Sequence, residues 1–238
     1  AFAEALDVMD RLYGRPDLAA EAAAMRETIR RQSWTGKWFC DNAVRQADGS
    51  LKPSGECTET CQYYAFFFRT ARPETHPELW RTLVRDFGPR RLAPDRTSLK
   101  SHQEIWPSNA FIGNYLRLEC LSREGRSKLI LDETRDYFDY MARRTGTLWE
   151  HDKTTASCSH GFASHVALTL YRDVLGIRAV DYAKKSVSVA VSADLPLDWC
   201  EGEMPFSPTE TLKVAWRKGA DGKPSADVVL PTGWTRKE

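Results

Sequence analysis

The chain has 238 residues, 42% of them hydrophobic, so it can bury a sizeable core as one large domain or one domain with a small appendage. Its 34 basic and 33 acidic residues give a net charge of +1, and no window is basic enough to follow a phosphate backbone, which argues against nucleic acid as a partner. The sequence contains no apolar run long enough for a transmembrane helix and opens with no secretory signal.

The first residues have the periodicity of a helical hairpin. Gly14 stops the first helix and Pro16 begins a second, so a tight Gly-Arg-Pro turn joins the two helices. The stripe that defines the first helix consists of Phe2, Leu6, Met9 and Leu12. That helix starts in its apolar register without a capping residue, and we therefore expect the chain to be part of a larger fold.

Two more hairpins and a last helix are predicted after a Trp-rich loop from Ser33 to Gly55. Thr58 is a suitable N-cap for a third helix, and a fourth begins at Pro77. A polar loop from Arg90 to Pro107 leads to a third hairpin, whose second helix runs from about residue 127 to residue 143. The last helix covers about residues 161–175 and gives seven helices in total.

From Val180 onward the apolar period changes to two, which is typical of half-buried strands. Val187, Val189 and Val191 define one strand, and a second is centred on Val214. A turn at residues 219–224 separates the latter from a short last strand at residues 228–230. The pattern predicts a mainly α domain over residues 1–177 and a small antiparallel β domain over residues 178–238.

Six cysteines are scattered without a CxxC pair, so a zinc knuckle has little support. Cys57 and Cys61, four residues apart, would share one face of a helix, but buried free cysteines are common and reduced thiols are the favoured interpretation. No metal site and no cofactor motif is predicted. A disulfide stays open, and so does the compartment, with a periplasmic or secreted location slightly favoured.

Three loops between helices concentrate tryptophans and carboxylates. Because they alternate with the hairpins, we expect them on one rim of a helical array. Indole faces stack on sugar rings, amides and carboxylates bond sugar hydroxyls, and two carboxyl groups can break a glycosidic bond. The alternative is that each tryptophan only anchors its loop. The loops contribute Trp34, Trp38, Asp41 and Asn42; His102, Glu104, Trp106 and Asn109; and Trp149, Glu150, His151 and Asp152.

The segment "TLWEHDKTTASCSHGFASHVALTLYRDVLGI" resembles glycoside hydrolase family 78, the α-L-rhamnosidases. In that family a Thr-hydrophobic-Trp-Glu motif is followed by a small-polar run with a histidine that opens the last barrel helix. "TETCQYYAFFF" is similar to a family helix, and "VDYAKKSVSVAV" with "LKVAWRK" to its C-terminal β-sandwich. The resemblance implies an incomplete (α/α)6 toroid of helical hairpins, followed by a small β-sandwich-like tail.

By the same resemblance, terminal α-L-rhamnosides are hydrolysed with inversion and Glu150 is the general base that activates water. It also implies that Trp149 is a wall of the sugar pocket and that His160 bonds a sugar hydroxyl, although the family usually has Asn where this chain has Ser159. The further substrate-binding candidates are Trp38, Asp41, Asn42, Glu59 and Trp106.

The family's general acid lies in an Asp-Glu-Arg-x-Gly-Trp type motif, which does not occur in this sequence. Asp41 and Glu59 are the best acidic candidates that remain, and we expect the chain by itself to have little or no hydrolase activity. Three alternatives stay open. They are a catalytically silent carbohydrate-binding piece, an (α/α)6 enzyme acting on another sugar such as an unsaturated uronide, and a helical scaffold without a sugar site.

Overall fold

The computed structural model describes residues 1–92, 98–109 and 111–237, and the chain divides into two compact units. The first comprises Ala1–Cys120 with His151–Thr155, and the second comprises Leu121–Glu150 with Ala156–Glu238. Part of the predicted polar loop, residues 93–97, lies outside the described residues. The boundary predicted after residue 177 falls inside the second unit. The division into an α domain and a β domain at that residue stays a prediction.

The first hairpin of the first unit is confirmed. Helix α1 spans Phe2–Tyr13 and α2 spans Pro16–Ser33. Gly14 ends α1 in a left-handed conformation, with φ of 64°, which a residue without a β carbon adopts at little cost. Ala3 and Leu6 pack against Ala22 of the second helix. The predicted apolar stripe is only partly buried, since Leu12 at its end is 70% exposed.

The remaining helices of this unit surround its main core. They are α3 at Glu59–Phe67, α4 at Pro77–Asp86 and α5 at Ile112–Arg123, of which the last three residues belong to the second unit. Thr58 is the N-cap of α3, as predicted, because its side-chain oxygen accepts a hydrogen bond from the Cys61 amide at 3.0 Å. The fully buried centre of the core includes Phe39, Tyr63, Leu83 and Ile105.

The Trp-rich loop contains a hairpin that the sequence analysis missed. Strand β1 at Ala43–Arg45 pairs antiparallel with β2 at Leu51–Pro53. All six residues are exposed. The segment therefore shows no alternation between buried and exposed positions, and that alternation is the signal by which a strand is recognised in a sequence.

The helices of the second unit include two π-helical segments. Helix α6 at Ser127–Glu133 continues through the π-helical turn Thr134–Phe138 into α7 at Asp139–Thr145, which confirms the helix predicted from residue 127. Gly146 ends it with φ of 73°. The last predicted helix is less regular. A 3-10 turn at Gly161–His165 precedes the short helix α8 at Val166–Thr169, which is followed by a second π-helical turn at Leu170–Val174.

The strands form two three-stranded sheets, in the orders β3-β4-β8 and β5-β6-β7. Every pairing is antiparallel except that of β4 with β8, which is parallel. Val187 and Val189 of β4 share one buried core with Leu212 and Val214 of β6, so both sheets face the same apolar layer, as a β-sandwich requires. The bounds are β3 Ile177–Asp181, β4 Ser186–Val189, β5 Trp199–Pro205, β6 Thr211–Lys218, β7 Pro224–Val229 and β8 Thr235–Lys237.

Asp173 ties the last helical turn to the strands. Its fully buried carboxylate accepts hydrogen bonds from Arg178 of β3 at 2.7 Å and from Arg172 at 3.0 Å. Next to it, the indole nitrogen of Trp216 donates to the carbonyl of Val174 at 3.1 Å. Strands β5 and β8 are not predicted by the apolar pattern, because none of their residues is fully buried. Within the described residues, no helix is both long and apolar enough to cross a membrane.

Replacing Thr58 with Ala is expected to lower the free energy of unfolding by about 1 kcal/mol, because the Cys61 amide loses its side-chain acceptor. Urea denaturation of the chain and the variant measures the difference. Thr58→Ser keeps the hydroxyl and should be nearly neutral. Equal losses in the two variants would show that the methyl group, and not the cap, is responsible.

Candidate functional site

Two of the three predicted loops are in contact in the first unit. Lys37 forms an ion pair with Glu104 at 2.8 Å, and the Trp38 ring meets the His102 ring edge-on with centroids 5.5 Å apart. The hydrogen bond from Lys37 lowers the pKa of the Glu104 carboxyl to about 2. The pair therefore favours the folded state above the carboxyl's ordinary pKa, and this contribution is lost as the pH falls towards 2.

The two tryptophans of these loops have different environments. Trp106 is 64% exposed, and its indole nitrogen lies 3.4 Å from the carboxylate of exposed Glu56. Trp38, by contrast, is buried and stacks on Phe87 with centroids 5.6 Å apart. Its indole nitrogen has no hydrogen-bond partner among the described residues. Trp106 therefore offers a ring face to a ligand, whereas the expectation that Trp38 does so is not supported.

Asp41 and Asn42 lie in the loop between α2 and α3, immediately before β1, and both are exposed. The Asp41 carboxylate accepts hydrogen bonds from the Thr58 amide at 2.9 Å and the Thr58 hydroxyl at 3.1 Å. It thereby holds the residue that caps α3. The backbone carbonyl of Asn42 accepts a hydrogen bond from the Ser54 amide at 3.0 Å. The Asn42 side chain is exposed and makes no hydrogen bond within the described residues.

Glu59 differs from the expectation that it contacts a sugar or donates a proton. Its side chain is 1% exposed and forms an ion pair at 2.7 Å with Arg91, whose side chain is fully buried. The second carboxylate oxygen accepts from the Tyr63 hydroxyl at 2.9 Å and from the Ser108 hydroxyl at 3.2 Å. A carboxylate so enclosed by donors has no open side for a substrate.

Arg91 forms hydrogen bonds with three backbone carbonyls of the loop that follows it. Its Nε donates to the carbonyl of Ser101 at 2.9 Å, and Nη2 donates to the carbonyls of His102 and Ile105. The Trp106 carbonyl in turn accepts from the Glu59 amide at 2.9 Å. Arg91 gave no sequence signal, because an isolated arginine in a polar loop is ordinarily solvated.

In the second unit, Glu150 and His160 lie on two segments that pair through their backbones. The Glu150 amide donates to the Ser157 carbonyl at 2.9 Å, and the His160 amide donates to the Leu148 carbonyl at 2.8 Å. Glu150 is half-buried. Within the described part of the chain, its carboxylate takes part in no hydrogen bond or ion pair. Glu150 thus combines a fixed backbone with an uncommitted carboxylate.

Trp149 is fully buried, so it presents no ring face to solvent as the predicted sugar wall would. Its indole nitrogen donates to the Thr145 hydroxyl at 2.7 Å, and its ring meets Tyr140 edge-on at 5.7 Å. Packing of this kind fixes the backbone of the next residue, Glu150. His160 is half-buried, and its ring centroid lies 6.1 Å from that of Phe162.

The cysteines are all reduced, but Cys57 and Cys61 do not share a helical face, because Cys57 precedes the N-cap of α3. Cys57 instead contacts Cys40, with 3.9 Å between the sulfurs. Burial, together with Cys40, raises the pKa of the Cys57 thiol to about 12. Burial also raises the pKa of Cys61. In the described residues no three His, Cys, Asp or Glu side chains come together as a metal site would require.

Comparison with known structures gives one informative likeness. The chain matches the crystal structure of a GH78 family rhamnosidase of Bacillus sp. GL1 with a TM-score of 0.73 and 20% identity over 99% of its own length. This chain has the fold of part of a family 78 enzyme. It spans 26% of that protein's length. No protein-family profile and no curated protein matches the sequence.

At 20% identity the likeness establishes a common fold and leaves the activity open. It confirms, at the level of the fold, the resemblance inferred from the Trp-Glu segment and the β tail. The assignments of individual site residues remain predictions, of which those for Glu150, Trp106, Asp41 and Asn42 agree best with exposed or uncommitted side chains.

Replacing Glu59 with Gln is expected to destabilise the chain by roughly 3–5 kcal/mol, because the buried Arg91 guanidinium loses its counter-charge. Chemical denaturation measures this loss. Glu56→Gln, an exposed change three residues earlier, should alter the free energy of unfolding by less than about 0.5 kcal/mol. A similar small effect of Glu59→Gln would mean that the ion pair is not essential to the unit.

Alkylation of Cys57 by iodoacetamide at pH 8 should be much slower in the folded chain than in urea, because the raised pKa leaves almost no thiolate. Mass spectrometry of timed samples measures the rate at each cysteine. Raising the pH towards 10 should accelerate the reaction at Cys57. Equal rates at pH 8 in the folded and unfolded chain would contradict the buried thiol.

Proposed function

We propose that the chain is part of a glycoside hydrolase that removes terminal α-L-rhamnose with inversion of configuration, with Glu150 as the general base. The likeness to a GH78 family rhamnosidase supports the class of enzyme. The observation on which the proposal depends is the half-buried, uncommitted carboxylate of Glu150 in a loop held by backbone hydrogen bonds. No cofactor is part of this proposal, since inverting glycosidases need none.

The hairpins α1–α2, α3–α4 and α5 with the helix of residues 127–145 correspond in this proposal to part of an (α/α)6 toroid. Their number is too small to close such a ring, which agrees with a match to about a quarter of the rhamnosidase. The two sheets after residue 177 correspond to its β domain.

A general base must be ionised, must reach a water molecule and must be held in place. The Glu150 backbone is fixed by its bond to Ser157 on one side and by the buried indole of Trp149 on the other. Its carboxylate has no competing partner within the described residues. Of the carboxylates predicted for chemistry, Glu150 is the one that combines a fixed backbone with a carboxylate that has no partner among the described residues.

The proton donor is, in our proposal, not among these 238 residues. The Asp-Glu-Arg-x-Gly-Trp type motif does not occur in the sequence. Glu59 is enclosed by Arg91, Tyr63 and Ser108, and Asp41 holds Thr58. An inverting enzyme needs a second carboxyl about 6.5–9.5 Å from the base, with room for water between them.

For substrate contacts we propose Trp106, Asp41, Asn42 and His160. Trp106 offers an exposed ring that suits the apolar face of a sugar. Trp38, Trp149 and Glu59 instead support these residues from the interior, because all three are buried.

The chain alone is expected to release no phenol from phenyl α-L-rhamnoside above the rate of its Glu150→Gln variant, because no acid protonates the poor leaving group. In a longer polypeptide that supplies the donor, Glu150→Gln should lower kcat by roughly 10²–10⁴-fold with little change in KM. Added azide should restore turnover to Glu150→Ala and yield the rhamnosyl azide of inverted configuration.

Glu124→Gln removes one carboxylate from an exposed turn and serves as the matched control, with unchanged kcat expected. Hydrolysis by the chain alone would place a donor within it. An unaffected rate in Glu150→Gln would remove Glu150 from the mechanism. Saturable rhamnose binding by the chain together with inactive longer polypeptides would favour the silent carbohydrate-binding alternative.

A further inference from the structure

Four arginines converge on one cavity of the first unit, on the side of α2 and of the turn between α3 and α4. The cavity has a volume of about 400 Å³. No carboxylate is among the described residues that line it. Its lining consists of Ala23, Arg26, Arg30, Arg69, Thr70, Arg72 and Thr75.

Two of the guanidinium groups are held rigidly by backbone carbonyls at the C-terminal end of α3. Arg26 Nε donates to the Phe68 carbonyl at 2.9 Å, and Arg30 Nη1 donates to the Thr70 carbonyl at 2.9 Å. Arg26 is also 91% buried, since 9% of its surface remains exposed. Rigid guanidinium groups lose little conformational entropy when a ligand binds, which favours anion recognition.

Carboxylates neutralise these arginines only in part. Arg26 pairs with Glu4 at 2.9 Å and with Asp7 at 2.7 Å, and Glu4 also lies 3.3 Å from Arg69. A further acid, Glu27, pairs with Arg30. Three acids thus face four arginines, and all three acids lie outside the cavity lining.

Arg72 is the exposed member of the group, and its guanidinium makes no hydrogen bond or ion pair with the part of the chain that the structure describes. The Arg72 amide donates a hydrogen bond to the Thr75 hydroxyl oxygen at 3.1 Å. A guanidinium without a counter-ion, at the edge of a cavity with three others, is a donor available to an anion.

Arg69 has a left-handed backbone conformation, with φ of 60°. It follows the last turn of α3, at the position where glycine usually ends a helix. An L side chain at such a φ is strained, and strain of this kind collects at binding sites. Glycine would relieve the strain but would remove one of the four guanidinium groups from the cavity.

We propose that this cavity is a binding site for an oxyanion of the phosphate, sulfate or carboxylate class. The inference is independent of the proposed hydrolase function. Arg69 and Arg72 supply charge from the turn between α3 and α4, and Arg26 and Arg30 supply it from α2. The shape of guanidinium groups suits all three oxyanions, so the identity of the group is decided by competition.

His76 offers an independent readout. Its Nδ1 lies 2.9 Å from the hydroxyl of Thr75, which lines the cavity. Burial and the positive charge of Arg30 lower the pKa of its imidazole. A bound dianion would offset that positive charge and raise the pKa of His76.

Isothermal titration of the chain with inorganic phosphate at low ionic strength should show saturable binding with a Kd of about 1 mM or tighter. Arg72→Gln should weaken this binding roughly tenfold. Arg31→Gln removes the same charge from an exposed position on α2 that does not line the cavity, and it should weaken phosphate binding less than twofold. NMR titration should show a higher pKa of His76 in saturating phosphate.

The same titration with sulfate and with galacturonate identifies the group. Tighter binding of phosphate or sulfate assigns a tetrahedral oxyanion, and tighter binding of galacturonate assigns a carboxylated sugar. Chloride at matched ionic strength gives the background. The proposal is overturned if none of the three ligands binds above that background, if Arg31→Gln weakens binding as much as Arg72→Gln, or if the His76 pKa is unchanged at saturation.

Discussion

The buried ion pair between Arg91 and Glu59 organises the first unit. Removing either charge from water costs several kcal/mol, and only a nearly complete set of partners offsets that cost. Glu59 lies in the first turn of α3, and Arg91 lies ahead of the loop that reaches Trp106. Glu59 and Arg91 bond to each other, Arg91 also bonds to loop carbonyls, and Glu59 also bonds to Ser108. These bonds together fix how the loop lies against α3. The exposed Trp106 takes its position from this arrangement.

The need of a buried or paired carboxylate for hydrogen-bond donors also distinguishes Glu59, Asp41 and Glu104 from Glu150. Glu59 is enclosed, Asp41 supports the cap of α3, and Glu104 is paired with Lys37. Glu150 alone among these four keeps its carboxylate uncommitted within the described residues. The composition of the three loops identifies which carboxylates are candidates for substrate contact. Their hydrogen bonds in the folded chain show which of these carboxylates are still without a partner.

Charge is distributed very differently in space and along the sequence. A net charge of +1 and the absence of a basic run argue against nucleic acid as a partner. Because neither quantity describes how charges lie in space, neither indicates the arginine cavity. Arg26 and Arg30 are one turn apart on α2, whereas Arg69 and Arg72 follow α3 some 40 residues later. The two pairs come together because the segment that follows α3 packs beside α2, where the carbonyls of Phe68 and Thr70 accept hydrogen bonds from Arg26 and Arg30.

The sequence by itself determined the helices with clear boundaries, since Gly14, Pro16, Thr58 and Pro77 act through local backbone chemistry. It also determined the change from helical to strand periodicity near residue 177, because side-chain alternation is local. It could not reveal the exposed β1–β2 hairpin, which buries no face, or the burial of Trp38, Trp149 and Glu59. Those depend on contacts between residues far apart in the chain, and only the tertiary structure decides which polar groups meet a partner there and which remain available to a ligand.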